Sequence, residues 1–518
     1  MVADAPGPRR TATNPRSVRN ILSNWGSFVF TVVVNLFLTP FIVSSLGDTQ
    51  YGVWVLLASI VGYMGLLDLG IRSAVMRYVA RFHARGEDVD ASEYASTGLA
   101  IFATLGGVAI ILAAIVSALL SSVFNLDEKF VTEARQVLMI GGLTVAISLV
   151  GGVFAGIVSA MQRFDLRSGL QVGVGAGRAL AIVLALRAGY DLLALAGIQF
   201  GATLVSSIGE AAMCRRLYPE LRVGRGHVRA RLVRAIFSFA TYSSVLHVSR
   251  SIILSANALV IGMFLPIDRV TYYSLASSLL LYTRSVIGAI AQTVTPQASA
   301  VQAIGAPGEM EALFLRMARL SSLVVAPIAI TFLIRGETFL DLWMGEGYGE
   351  VSGQLLRILA ASLVLTAPGQ VLMSALIGIK EHRRLIPFQV SEAVLNVLLS
   401  VLLVRSFELV GVAWSNTLPT VVLTFAALAA LGGGSLGVGL GAMMTVVFLK
   451  PWSSMIPFAA VSYLLETRWT VDNLAFYFGQ VLLALPVAAL GAYALALSPS
   501  EREAIRDRVR MQLAGLRS

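Results

Sequence analysis

Charge is scarce in this chain. Only 13% of its 518 residues are Asp, Glu, Lys or Arg, too few to keep the surface of a soluble protein of that size hydrated. Cysteine is scarcer still: the single Cys214 excludes an intramolecular disulfide framework and any multi-cysteine metal site. Four histidines, at 83, 227, 247 and 382, form no cluster, so neither a metal nor a cofactor is expected. Aromatic residues are few at 8%, which leaves the apolar content aliphatic and small. What is abundant is hydrophobic residues, at 57%, together with 47 glycines and a mean hydropathy of +0.79. That composition describes an integral membrane protein of closely packed helices rather than a barrel of alternating strands. The net charge of +10 would suggest nucleic acid in a soluble protein. In a membrane protein it asks instead on which side the basic residues lie, and no nucleic-acid partner is expected.

About 20 apolar residues are needed to cross roughly 30 Å of hydrocarbon. Fourteen candidate stretches, several with soft edges, lie near 20–46, 51–71, 95–122, 134–160, 169–186, 192–213, 235–264, 271–294, 320–334, 353–379, 387–404, 411–430, 451–465 and 474–497. Pro327, Pro419 and Pro457 interrupt three of them, and twelve spans remain a possible count. With both termini in the cytoplasm, the 39 basic residues divide as 28 inside, 6 outside and 5 within spans. The 29 acidic residues divide as 13, 13 and 3, so the asymmetry belongs to Lys and Arg alone, as the positive-inside rule requires. The reading is an all-α, polytopic protein of the bacterial cytoplasmic (inner) membrane.

The expected organisation is a disordered arm over 1–19, a six-helix lobe over 20–213, a basic cytoplasmic linker over 214–234 and a second six-helix lobe over 235–430. Two further spans over 431–497 and a tail over 498–518 complete the chain. The first apolar run is too long for a signal-peptide core, so it is expected to stay in the mature protein. The lobes are paired because Leu46 to Trp54 and Leu265 to Tyr273 are short outside turns running into tyrosine, about 221 residues apart. In the tail, Ser500 with Glu503 reads as a capping box. Ile505, Val509, Leu513 and Leu516 fall at helical spacing opposite arginines, which predicts an amphipathic helix on the inner membrane surface.

Ionisable groups within spans are costly and normally face a cavity or a partner. Arg250 lies midway along its span, too deep for easy snorkelling, and Arg284 and Arg178 are also deep, whereas Arg135 and Arg357 lie near span ends. Ser243, His247, Arg250 and Asn257 share one helix face. The next span carries Ser274, Ser277, Arg284, Ser285 and Gln292, and the first span carries Asn24, Ser27, Thr31, Asn35 and Thr39 at steps of three and four. These stripes predict a water-filled cavity between the lobes, with Arg250, Arg284, His247, Asn257, Asn24, Thr31, Asn35, Gln292 and Arg178 contacting substrate. The bland alternative is that small polar residues merely pack helices together. Of the acidic residues within spans, Glu392 and Asp68 are candidates for ion coupling, although Asp68 precedes Arg72 by four residues and an intrahelical pair is the simpler reading. Deep charge is predominantly positive, which favours an anionic substrate.

Seven segments carry a resemblance: Asn24-Trp25-Gly26, Leu46 to Trp54, Gly65-Leu66-Leu67-Asp68-Leu69-Gly70, Gln162-Arg163-Phe164, Thr295-Pro296-Gln297, Leu342-Trp343-Met344-Gly345 and Gly411-Val412-Ala413. In order and spacing the chain resembles, over residues 20 to 470, the bacterial polysaccharide flippases of the multidrug/oligosaccharidyl-lipid/polysaccharide exporter superfamily. The resemblance implies two six-helix lobes, a cavity lined by spans one, two, seven and eight, and a lipid-linked oligosaccharide as substrate. It also implies a membrane setting with a polysaccharide polymerase and glycosyltransferases as candidate partners, and it supplies no catalytic residue. Three rivals remain at this point. A peptidoglycan-precursor flippase shares the fourteen spans. An ion-coupled drug exporter needs a midplane carboxylate. A membrane polymerase or glycosyltransferase ordinarily needs a sizeable outside loop with catalytic groups, and the longest here runs from about Arg335 to Ser352.

Overall fold

In the computed structural model of the chain, residues 15–305, 307–499, 501–503, 506, 507 and 511 are described, apart from the side chains of 15–25 and 239–244. Among the described residues every regular element is a helix. This follows from the solvent: in hydrocarbon each backbone N–H and C=O must be satisfied locally, and a helix does so within its own segment. The helices pack into two compact units, Met1–His247 and Val248–Ser518. The expected capping box at Ser500 and the apolar face through Ile505, Val509, Leu513 and Leu516 lie outside the described residues, as does the arm before Pro15.

The first unit contains α1 (Pro15–Leu46), α2 (Asp48–Met64), α3 (Ile71–His83), α4 (Asp88–Val123), α5 (Glu128–Ala160), α6 (Phe164–Arg187), α7 (Leu192–Leu217) and the start of α8 (Ala230–Phe264). α5 is central, packing on α2, α3, α4 and α7, while α1 lies on α6. The Gly65–Gly70 segment breaks the second span: Leu69 and Gly70 take left-handed φ of 45° and 71°, and α3 restarts beyond them. Asp68 holds that restart. Its carboxylate accepts from the Arg72 backbone N–H at 3.4 Å and pairs with the Arg72 guanidinium at 3.1 Å. Gly152 of α5 makes room for Arg72, since a Cβ there would sit 2.6 Å from a guanidinium nitrogen.

The second unit contains the rest of α8, α9 (Asp268–Gln292), α10 (Val294–Ile304), α11 (Glu309–Met344), α12 (Gln354–Ala361), α13 (Leu363–Gly378) and α14 (Ile386–Leu436). After these come α15 (Leu440–Met443), α16 (Lys450–Ser454), α17 (Ile456–Arg468) and α18 (Leu474–Gly491). α14 doubles back on itself at Glu408, whose φ of 46° and ψ of −131° are non-helical. Two bonds pair its arms in antiparallel register, Thr420 Oγ1 to Glu392 Oε1 at 2.7 Å and Asn396 Nδ2 to the Ser415 carbonyl at 3.3 Å. Gly411 permits the close return, because a Cβ there would meet the Leu403 carbonyl oxygen at 2.6 Å. Twelve helical stretches are long and apolar enough to span a membrane. The doubled α14 is one of the twelve, and the pair α12 and α13, entered by a short wide turn and bent by 45° at Ser362, lies outside them. Counting both arms of α14 separately and adding the bent pair gives fourteen candidate crossings among the described residues, the number read from the sequence.

Two boundaries differ from the sequence reading. α11 begins at Glu309 and continues to Met344, so Arg335, Glu337 and Asp341 are helical rather than part of an outside loop. The hydropathy window dips at these charges because it averages over neighbours and cannot see that Arg335 is paired. Its Nε bonds Glu466 at 2.9 Å, its guanidinium lies 4.6 Å from the Tyr477 ring, and it is 1% exposed. At the tail, the capping box forms two residues before the expected one. Ser498 N–H donates to the Glu501 carboxylate at 2.8 Å, and the Glu501 N–H donates back to Ser498 Oγ at 3.4 Å. Burial opposes ionisation of Glu501, but the Ser498 N–H and hydroxyl and the Arg319 guanidinium outweigh it and hold the carboxyl below the usual carboxylate range.

Candidate functional site: a buried polar cluster around Arg284

Five helical segments of the second unit bring polar side chains together inside its apolar packing. Arg284 lies deep in α9 and is 8% exposed. Gln370 of α13 donates to the Arg284 backbone carbonyl at 3.3 Å, and Arg250 of α8 and Glu392 of α14 both act on the guanidinium electrostatically. Yet no carboxylate approaches Arg284 within ion-pair distance among the described residues, and its buried Nε has no hydrogen-bond partner. Glu392 instead takes the Thr420 hydroxyl from the opposite arm of α14. A guanidinium so placed retains donor capacity for an anion, and Arg offers it in a planar fork suited to phosphate or carboxylate.

Around this charge the neutral groups form a scaffold. Asn257 of α8 is 1% exposed and donates to the Tyr273 hydroxyl of α9 at 2.7 Å. Asn416 donates to the Ile253 carbonyl at 3.4 Å, tying the second arm of α14 to α8. The side-chain oxygens of Asn257, Asn396 and Asn416 accept no hydrogen bond among the described residues. Sequence reasoning missed Asn396, Asn416, Thr420, Gln370 and Tyr273. The signal was present in part: Glu392, Asn396 and Ser400 recur at steps of four on one arm, and Asn416 and Thr420 do so on the other. Neither run is long enough to stand out, and the two meet only because α14 folds back between them.

The other sequence-selected residues fall elsewhere. His247 and Arg250 are exposed on α8, and Gln292 is exposed at the end of α9. The serines of the α9 stripe bond back to their own helix, Ser277 to the Ser274 carbonyl at 3.1 Å and Ser285 to the Leu281 carbonyl at 2.9 Å. On α1, Thr31 is exposed and bonds the Ser27 carbonyl at 2.9 Å, Asn35 is half-buried, and the Asn24 side chain lies outside the described residues. Arg178 donates to Gln199 Oε1 of α7 at 2.8 Å, a contact within the first unit. Asp68 is engaged with Arg72, but across the break at Leu69 and Gly70 rather than within one helix.

A polytopic all-α membrane protein with an unpaired guanidinium buried in its spans is thereby defined. The chain belongs to the polysaccharide biosynthesis protein family, whose profile matches residues 17–302, more than half of its length. It is 20% identical to a putative O-antigen transporter of Shigella flexneri over 77% of this chain and 94% of that protein. It is 23% identical to a probable low-salt glycan biosynthesis flippase of Haloferax volcanii, over 74% of this chain and 77% of the relative. Among solved structures, the lipid II flippase MurJ in an inward closed conformation superposes with a TM-score of 0.73. It is 11% identical and the match covers 92% of this chain and 98% of that one, a likeness of fold.

Proposed function

We propose that the protein is a flippase that carries an oligosaccharide linked to a polyprenyl diphosphate from the inner to the outer leaflet of the cytoplasmic membrane by alternating access. The observation that carries this reading is Arg284: a cation buried at membrane depth, close to a carboxylate yet not paired with it. A diphosphate headgroup cannot cross hydrocarbon unaided, whereas its lipid tail need never leave it. Arg284, with Arg250 on the neighbouring helix, supplies the countercharge, and the asparagine and threonine groups exchange hydrogen bonds with sugar hydroxyls. Glu392 is the carboxylate best placed to couple transport to an ion, and Asp68 is committed to Arg72. A drug exporter would need its deep carboxylate to face an incoming cation, and here Glu392 faces Arg284 and Thr420. We read the protein as a transporter with no catalytic residue, and its synthesis partners as a polymerase and glycosyltransferases.

Deletion tests the reading directly. Lipid-linked sugar should accumulate on the inner leaflet and surface glycan should fall; normal surface glycan with no accumulation would overturn it. The proposed orientation has its own test: reporter fusions after Arg231 and Arg384 should report cytoplasm and one after Glu346 the outside, and an outside signal at Arg231 would reverse the topology.

A further inference from the structure

The basic linker is not a loose tether. Tyr218 donates its hydroxyl to Asp88, and the backbone N–H groups of Arg222, Gly224 and Arg229 donate to Ser92, Ser96 and Thr97 at 3.0, 3.1 and 3.0 Å. Burial pushes the Tyr218 phenol well above its ordinary range, and the Asp88 carboxylate adds to that, so it remains a donor. Glu93, 6% exposed, takes the Arg229 and Arg231 guanidinium groups at 2.7 and 3.2 Å. Asp88, Ser92 and Ser96 lie one turn apart, so the loop is laid along a single face of the first turns of α4.

This docking turns the remaining arginines outward. Arg215, Arg216, Arg222 and Arg225 are exposed and form no ion pair among the described residues. Arg81, exposed near the end of α3, stands in the same neighbourhood, because Phe82 and His83 beside it pack on Tyr94 and Tyr218. Exposed apolar side chains, Val89 and Val228, are interspersed with them. The positive-inside rule accounts for the number of arginines but not for their geometry, since insertion bias needs charge and not a loop held in place by buried acceptors. Glu220 is the single carboxylate in the loop, so the surface stays strongly positive, and fixing so many like charges there is unfavourable without a further anionic counterpart. The surface adjoins helices that enter lipid, and long arginine stems with exposed valines suit the headgroup layer.

We propose that this docked loop is a binding surface for phosphate-bearing anionic phospholipid headgroups of the leaflet it faces. The inference is independent of what Arg284 binds.

The test is native mass spectrometry of the full-length protein in detergent, titrated with phosphatidylglycerol and with phosphatidylcholine of the same acyl chains. The wild type should favour phosphatidylglycerol, and Arg216→Gln/Arg222→Gln/Arg225→Gln should weaken its retention by about tenfold. A control variant losing three exposed basic charges elsewhere, Lys129→Gln/Arg187→Gln/Arg468→Gln, should behave as wild type. Ser92→Ala/Ser96→Ala keeps every arginine but releases the backbone anchors, and should weaken retention by about threefold. Equal retention by the loop variant and the wild type would overturn the proposal, as would equal losses in the loop and control variants. Unchanged retention in the serine variant would overturn the docked geometry. Displacement of phosphatidylglycerol by excess inorganic phosphate would replace the lipid surface by a free-anion site.

Discussion

Arg284→Ala is expected to cut glycan export by about 10- to 100-fold, the range for losing charge-assisted bonds to a phosphate, while the protein stays inserted at its normal level. Arg284→Lys should retain part of the activity, because it keeps the charge but loses the planar fork. The expectation of normal abundance comes from the unpaired state of the guanidinium. Were Arg284 bonded to Glu392, removing it would strand a buried carboxylate and lower the amount of folded protein. Glu392 already has the Thr420 hydroxyl at 2.7 Å, so the loss of a cation it does not bond is tolerable. Membrane abundance and accumulated lipid-linked sugar, measured in the same cells, separate the two cases. Normal export from a well-expressed alanine variant would remove Arg284 from the transport path.

The largest stability effect is expected at a different arginine. Arg335 of α11 bonds Glu466 of α17 at 2.9 Å and Gln480 of α18 at 2.5 Å, while the Tyr477 hydroxyl donates to the Arg335 carbonyl at 3.3 Å. Beneath this network α11, α17 and α18 share an apolar cluster through Ala326, Ile330, Phe458, Leu465 and Ala484. Glu466→Ala should cost about 3–5 kcal/mol, since it leaves a guanidinium that is 1% exposed without its counterion. Arg335→Ala should cost less, because the stranded Glu466 side chain is 23% exposed and retains the Thr338 hydroxyl. Replacing both, with Arg335→Met and Glu466→Leu, should recover most of the loss, as apolar substitutes for a buried pair commonly do. Thermal unfolding of the detergent-solubilised variants measures all three. Equal stability of Glu466→Ala and the wild type would show that the pair does not hold the last two helices to α11.

What the sequence determined by itself is what lipid makes local. Each span must satisfy its own backbone and present apolar side chains along its length, so hydropathy located the crossings even where α14 folds back at Glu408. Arg284 was also legible, because burying a charge in a span is rare enough to mark it by position alone. Partners were not legible, because they depend on which helices meet. One-dimensional periodicity could place Asn257 and Arg250 on neighbouring parts of one helix. Only packing decided that Asn257 is buried against Tyr273 while Arg250 is exposed. The same holds for Arg335, read as loop because the charges around it lowered the local hydropathy. Its partners Glu466 and Gln480 lie 131 and 145 residues away, and pairings at that separation are chosen by the tertiary fold.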